Sequence, residues 1–364
     1  MPYGHEASDY TARHLSGTSA TFGICIQKLD ATTAHWISLA YLIARTFDSI
    51  EDCVSLDHGM RYSILMDAAD SVWDSGRRHE WLRRVEFVSC KGAGSLSTGE
   101  AALLGDNAIL WKLVDELPQP VIDRMRSPLD LMALGMADFV REERRLSGGG
   151  FRSVGSLFRY CYCVAGVVGH LLTDLFLYRL HGESLEKNET YGTMHSLAPS
   201  FGFAMQLSNM LKNLGDDLKR GVCFLPSHWF RQFGTTPSGL LSTATAPTSR
   251  GFTASFIRLI LPTLTHAIQY VGVLQDLATA DDQENNVRIR QFLMLQLILV
   301  MTLTKKSVAN PELAFFEGQL QPRAGDVGFI ERRIASAART RDAARRLLQE
   351  HLDELRGAID ADAV

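Results

Sequence analysis

The sequence of 364 residues is 46% hydrophobic and 21% charged, with a formal net charge of −4. That apolar content can bury one large core, and no Lys/Arg-dense segment is present to neutralise a run of phosphates, so nucleic acid is excluded as an expected partner. The six cysteines (Cys25, Cys53, Cys90, Cys161, Cys163, Cys223) lack the C-x-x-C spacing of zinc or redox sites and read as reduced core residues of a cytoplasmic protein.

The chain opens on a polar stretch, expected to be a tail over residues 1–17, without the basic and apolar regions of a signal peptide. From residue 18 to 355 apolar residues recur at three- and four-residue spacing, as at Ile37, Ala40, Tyr41, Ala44 and Phe47, and no long strand-like alternation occurs. This predicts an all-α fold, one large helical domain. Breaks are expected at Gly92 to Ser97, Pro118 to Pro120, Gly148 to Gly150, around Gly182 and at Pro226, where Gly, Pro and Ser punctuate the pattern. Gly234 to Gly251, rich in Thr, Ser, Pro and Gly, reads as one long loop. An amphipathic helix is expected from Gly328, followed by a tail over 356–364. The apolar runs Cys161 to Tyr178 and Phe292 to Met301 fall short of about 20 uninterrupted apolar residues, so both read as buried helices and no transmembrane helix is expected.

Two segments carry the chemistry. In Ala44-Arg-Thr-Phe-Asp-Ser-Ile-Glu-Asp52, Asp48 and Asp52 share one helical face with Glu51 beside them. Like charges at this spacing cost a helix roughly 0.2–0.5 kcal/mol per pair. A hard cation would compensate, and carboxylates that leave coordination places for phosphate are the usual arrangement for Mg²⁺. The plainer alternative is an acidic cap on a solvated helix end.

The second segment, Gln206 to Asp217, places Asn209, Asn213 and Asp217 at i, i+4 and i+8, opposite Leu207, Met210, Leu211 and Leu214. The polar row is expected to face a cavity. Lys212, Lys219 and Arg220 add positive charge at the same end, a mixture suited to a metal-bound diphosphate. An exposed Asn/Asp-rich helix end is again the alternative.

Together these segments resemble the squalene/phytoene synthase family. Thr18 to Phe22 is similar to the family's opening, Tyr41 to Asp52 to its first aspartate-rich motif, Tyr160-Cys-Tyr-Cys-Val-Ala-Gly-Val-Val-Gly169 to its central segment, and Gln206 to Pro226 to its second aspartate-rich motif. The four occur in the family's order. The resemblance implies packed helices around a deep cavity, Mg²⁺ between two acidic helices, and head-to-head condensation of two prenyl diphosphates, most simply farnesyl diphosphate, through a carbocation and a cyclopropyl intermediate. It implies metal ligation by Asp48, Asp52, Asn213 and Asp217, and diphosphate contacts from Arg45, Gln206, Asn209, Lys212, Lys219 and Arg220. Tyr160 and Tyr41 are the candidate catalytic tyrosines; for Tyr160 a core role is an equal alternative, and His170 reads as a core histidine. NADPH enters as the reductant of the squalene branch, although no feature of the sequence speaks for it. An apolar product implies a peripheral membrane contact.

Three positions depart from the family's pattern: Asn213 replaces an aspartate, while Ala20 and Val222 stand where arginines are usual. Two other readings follow. The chain could ionise a single prenyl diphosphate for cyclisation or transfer to another acceptor, or it could be a non-catalytic assembly protein, against which the retained Asp48, Asp52 and Asp217 argue.

Overall fold

The computed structural model describes residues 4–146, 149–183, 189–242, 247–274, 283–315 and 324–362. Among them the fold is helical, with two isolated bridges, Ala93 to Leu96 and Phe151 to Pro226, and no strand. Where one domain was expected, the chain forms two compact units: residues 1–142 with 170–187, and residues 143–169 with 188–364.

The first unit holds α1 (His5–Thr18), α2 (Ala20–Ile26), α3 (Ala31–Glu51), α4 (His58–Ser71), α5 (Ser75–Lys91), α6 (Thr98–Gly105), α7 (Asn107–Asp115) and most of α8 (Gln119–Leu146). The expected N-terminal tail is in fact α1, whose buried face consists of Ala7, Tyr10, Thr11, His14 and Leu15. Its polarity hid the periodicity, because the buried polar groups are satisfied by a residue far along the chain: Tyr10 donates to the Asp106 carbonyl (3.2 Å) and the His14 ring meets the Asp106 carboxylate (3.2 Å). Asp30 starts α3 by accepting from the Thr32 and Thr33 amides, and Arg179 pairs with the same carboxylate. Behind α3, Trp81 and Trp111 meet edge to face, and Asn107 links the Trp111 indole to Thr46.

The second unit begins with α9 (Val154–Cys161), a π-helical turn at Tyr162–Gly166 and the start of α10 (Val167–His181). It continues with α11 (Glu189–Lys219), α12 (Ser227–Gln232), α13 (Pro237–Ser242), α14 (Pro247–Leu274), α15 (Gln283–Ala309), a 3₁₀ turn at Pro311–Phe315, α16 (Ala324–Ala337) and α17 (Arg341–Asp362). The π-turn lies against α11 through glycines: a Cβ on Gly202 would stand 2.0 Å from the Ala165 carbonyl, and one on Gly169 2.1 Å from that of Ala198. The helices α11 and α14 run antiparallel. Phe201 meets Tyr270 near the end of α14, while Trp229 and Phe230, beyond the end of α11, pack on Phe252 near its start. Thr253 donates to the Pro311 carbonyl, so α15 returns antiparallel to α14.

The loop expected over Gly234 to Gly251 holds instead α13 and the first turn of α14, with residues 243–246 outside those described. Pro237 and Pro247 each open a helix, the one helical position where a missing N–H costs nothing. At the C-terminus two helices stand where one was expected, and α17 continues to Asp362, leaving only 363–364 outside the described residues. Of the break at Gly148 to Gly150, residues 147–148 lie outside the described residues, and Gly150 has φ 71°.

Three helical stretches, Val154–His181, Arg250–Leu274 and Gln283–Ala309, are long and apolar enough to cross a membrane by length and composition. Uninterrupted apolar runs understate them, because the helices continue through His170 and beyond Phe292 to Met301. In two of the three, 72% of the most apolar stretch is buried within the structure, and in Arg250–Leu274 44% is.

Candidate active site

The first unit places Arg45, Asp48 and Asp52 on the last turns of α3. Carbonyl dipoles make a helix C-terminus negative, so acids there are disfavoured twice, by the macrodipole and by one another. Two arginines offset this. The Arg61 guanidinium of α4 donates to the Glu51 carbonyl. Arg45 forks, giving Nη1 to Asp48 (2.5 Å) and Nη2 to Glu100 of α6. Burial alone would lower the Arg45 pKa, but Asp48, Tyr41, Glu100 and Asp52 together hold it above its ordinary value. Its Nε is buried and makes no hydrogen bond. Asp48 is about one-third exposed, at 31%, whereas Glu51 is buried at 5%. Asp52 ends the helix, its amide donating to the Asp48 carbonyl at 2.9 Å.

Glu100 was missed by sequence reasoning, although Ser97-Thr-Gly-Glu100 carries the S-x-x-E signature of a capping box. The box is formed: the Glu100 amide donates to Ser97 Oγ (3.3 Å), and the Ser97 amide donates to Glu100 Oε2 (2.7 Å). One carboxylate oxygen thus fixes α6 and the other fixes Arg45. The close approach of α1 to α6 supports this arrangement, since a Cβ on Gly99 would lie 2.0 Å from the Gly17 carbonyl. Just beyond Gly17, Thr18 and Ser19 hydrogen-bond the Tyr41 hydroxyl, and Phe22 stacks on the Tyr41 ring at 4.8 Å. Burial raises the Tyr41 pKa, with Arg45 and these hydroxyls opposing it.

In the second unit Asn209, Asn213 and Asp217 form the expected stripe on α11, with Leu207, Met210, Leu211 and Leu214 buried opposite. Asn213 Nδ2 donates to Asn209 Oδ1 at 3.4 Å. Asn209 is exposed, Asn213 half-buried and Asp217 buried. Lys219 and Arg220, expected at diphosphate, are here engaged on their own helix: Lys219 with Asp216 (3.4 Å) and Arg220 with Asp217 Oδ1 (2.6 Å). Gln206 and Lys212 are half-buried. The helix ends directly after the stripe in a Schellman turn. Gly221, with φ 80°, donates to the Leu218 carbonyl and Val222 to that of Asp217, which leaves Val222 buried.

Tyr160 is buried in an aromatic group with Phe224 (5.4 Å, near-parallel) and Phe151 (5.7 Å). That group is pinned by Phe151, whose amide donates to the Leu225 carbonyl (2.8 Å) and whose carbonyl accepts from Ser227 (2.6 Å). His170 is half-buried.

The donor chemistry fits Mg²⁺. Among the described residues no three His, Cys, Asp or Glu side chains converge as a closed metal cage. The end of α3 offers the carboxylates of Asp48 and Asp52, and the stripe on α11 one carboxylate, Asp217, with the amide of Asn213 beside it; Mg²⁺ commonly binds through one or two carboxylates, with water and phosphate oxygens completing the octahedron.

The helical fold is shared with solved structures. A TcSQS structure with the ligand BPH1237 matches over 98% of this chain and 97% of its own, with a TM-score of 0.74 at 16% identity. A dehydrosqualene synthase matches over 91% and 96%, with a TM-score of 0.57 at 17% identity. The model of the squalene/phytoene synthase family matches residues 15–320, and the chain belongs to that family. Curated relatives include the squalene synthase of Saccharomyces cerevisiae, 29% identical over 60% of this chain and 45% of its own length. That of Mus musculus is 26% identical over 60% and 47%. The chain spans about half the length of such relatives.

Proposed function

We propose that this protein is a prenyltransferase that condenses two prenyl diphosphates head to head, with Mg²⁺ as the cofactor and farnesyl diphosphate as the substrate. The observation that carries the reading is the Arg45 fork at the end of α3. It binds an arginine to a candidate metal ligand, Asp48, and leaves a buried Nε–H without an acceptor. A diphosphate oxygen supplies that acceptor.

In this reading Asp48 and Asp52 are one set of metal ligands, and Asn213 and Asp217 the other. The bound ion supplies positive charge to the departing pyrophosphate. Arg45, Gln206, Asn209 and Lys212 orient the diphosphates, and Lys219 and Arg220 exchange their partners Asp216 and Asp217 for phosphate. The allylic C–O bond of one substrate breaks, its electron pair leaving with pyrophosphate. The double bond of the second substrate attacks the cation, and loss of a proton closes the cyclopropane. Tyr41 and Tyr160 are the phenols assigned to that proton. Departure of the second pyrophosphate opens the ring, and a squalene-type product then requires a hydride, for which NADPH is the donor in this scheme. The apolar product draws the enzyme to a membrane surface.

Asn213 and Val222 support a second reading, ionisation of one diphosphate only with cyclisation or transfer to another acceptor. Each lost charged contact weakens a diphosphate site by about 1.5–3 kcal/mol. Incubation with farnesyl and geranylgeranyl diphosphate separately, with Mg²⁺ and with or without NADPH, distinguishes the two. Two pyrophosphates released per hydrocarbon formed support coupling; one released per monomeric product supports the second reading. No release from either substrate refutes both.

A further inference from the structure

The Arg45 and α11 groups do not exhaust the polar side chains buried in this protein. At the N-terminal end of α15, Asn286 is fully buried at 0% exposure, and neither its amide oxygen nor its amide nitrogen has a hydrogen-bond partner. One turn further on, Arg290 is 7% exposed, and its Nε is buried without a partner. Spaced at i and i+4, the two side chains share one face of the helix. Their neighbour Arg288 behaves differently, for it is exposed and paired with Glu284 (3.2 Å). Among the described residues no carboxylate offsets Arg290, whose pKa is lowered by burial alone.

A buried amide with both ends unpaired and a buried guanidinium without a counter-charge are each costly, and native structures rarely keep such groups without a partner. A trapped water would satisfy the amide but bring no charge. The start of a 27-residue helix adds a third preference in the same direction, because its first-turn N–H groups and macrodipole favour anions.

We propose that Asn286 and Arg290 form a binding site for an oxyanion of the phosphate or carboxylate class. Arg290 and the Asn286 nitrogen donate to its oxygens, and a protonated oxygen or an accompanying water donates to the Asn286 carbonyl. The site is separate from the α11 stripe. Asn286 and Arg290 precede Pro311 by most of α15, so they lie at the Tyr270 end of α14, whereas the end of α11 beyond Asp217 leads to the Phe252 end. From the level of Phe201 to Asn213 the rise along α11 is roughly 18 Å. The inference therefore stands independently of the prenyl diphosphate reading.

The test is thermal unfolding of the full chain in Mg²⁺-free buffer with a chelator, titrated with sodium phosphate or sodium acetate against sodium chloride of equal ionic strength. The wild type, Asp52→Asn, Arg290→Met and Asn286→Leu are compared. We expect anion-specific stabilisation in the wild type and in Asp52→Asn, with the apparent Kd weakened at least tenfold in Arg290→Met and Asn286→Leu. Arg290→Met should also unfold at a higher temperature than wild type without anion, since it replaces an uncompensated cation by an apolar chain of similar length. A response to phosphate identifies a phosphate group, and a response to acetate alone a carboxylate. No stabilisation beyond that of chloride, or an equal response in Arg290→Met, overturns the proposal.

Discussion

Arg45 is where the site's charges balance. It faces Asp48 and Glu100 through different nitrogens, so the two acids serve different ends. In the proposed reading Asp48 exchanges arginine for metal, while Glu100 keeps the guanidinium in place. Changing Glu100 to Gln keeps both capping contacts available but removes the counter-charge; KM for the prenyl diphosphate should rise about tenfold with little change in unfolding temperature. Glu100→Ala should lose in addition about 1 kcal/mol of stability, the usual worth of a cap. Steady-state kinetics and chemical denaturation of both variants separate the two roles. Asp52→Asn relieves the repulsion at the end of α3, so it should unfold no more easily than wild type while pyrophosphate release falls about 10²-fold or more. Restoring the acid in α11 with Asn213→Asp should lower the Mg²⁺ concentration for half-maximal activity severalfold, read from a metal titration of the rate. His35 on α3 governs a different property. Burial pushes its pKa down to about 4 from 6.5, so the unfolded chain binds the proton first. Its contribution is present above pH 6.5 and is lost as pH falls through about 4. Denaturation of wild type and His35→Gln at pH 7.5 and 4.5 should show the wild type losing on the order of 2 kcal/mol more.

Individual elements show what sequence can carry. Helix α3 was legible in its apolar spacing and its acidic end, both of which stand in the structure. So was the stripe on α11, because Asn209, Asn213 and Asp217 repeat at helical spacing against a row of leucines and methionine. Glu100 was not, since its partner Arg45 is distant in sequence and only the packing of α6 against α3 joins them, although the S-x-x-E pattern marked its capping role. The polar N-terminus was misread because α1 buries tyrosine, threonine and histidine whose hydrogen bonds are invisible to a hydropathy pattern. Composition misled at Gly234 to Gly251, where Pro237 and Pro247 start helices instead of ending them. The contact of Gly99 with Gly17 gives the sharpest test at this scale. A Cβ there meets backbone, which cannot rotate away, so Gly99→Ala should destabilise the first unit by about 3 kcal/mol, within the range for overpacking, and weaken substrate binding through Glu100. Calorimetry and KM on the same sample measure both.

For the whole molecule, the family resemblance carried more than periodicity did. Four motifs in order pointed to a fold that the structure and its likeness to solved synthases bear out, whereas the pattern of apolar residues alone gave only the all-α class. Division into two compact units left no mark in the composition, since two of the boundaries between them fall inside the helices α8 and α10. Nor did uninterrupted apolar length find the three helices long enough to cross a membrane, because His170 and its neighbours break the run without breaking the helix. Family membership makes prenyl diphosphate chemistry the expectation, and the departures at Asn213 and Val222 make its outcome worth measuring. The most direct measurement is the mass of the product that the full chain forms from farnesyl diphosphate alone with Mg²⁺, in parallel with Asp52→Asn. The account predicts a product with twice the substrate's carbon count from the wild type and a loss of it in the variant. A product retaining a single farnesyl carbon count, or a doubled product made equally well by Asp52→Asn, would contradict it.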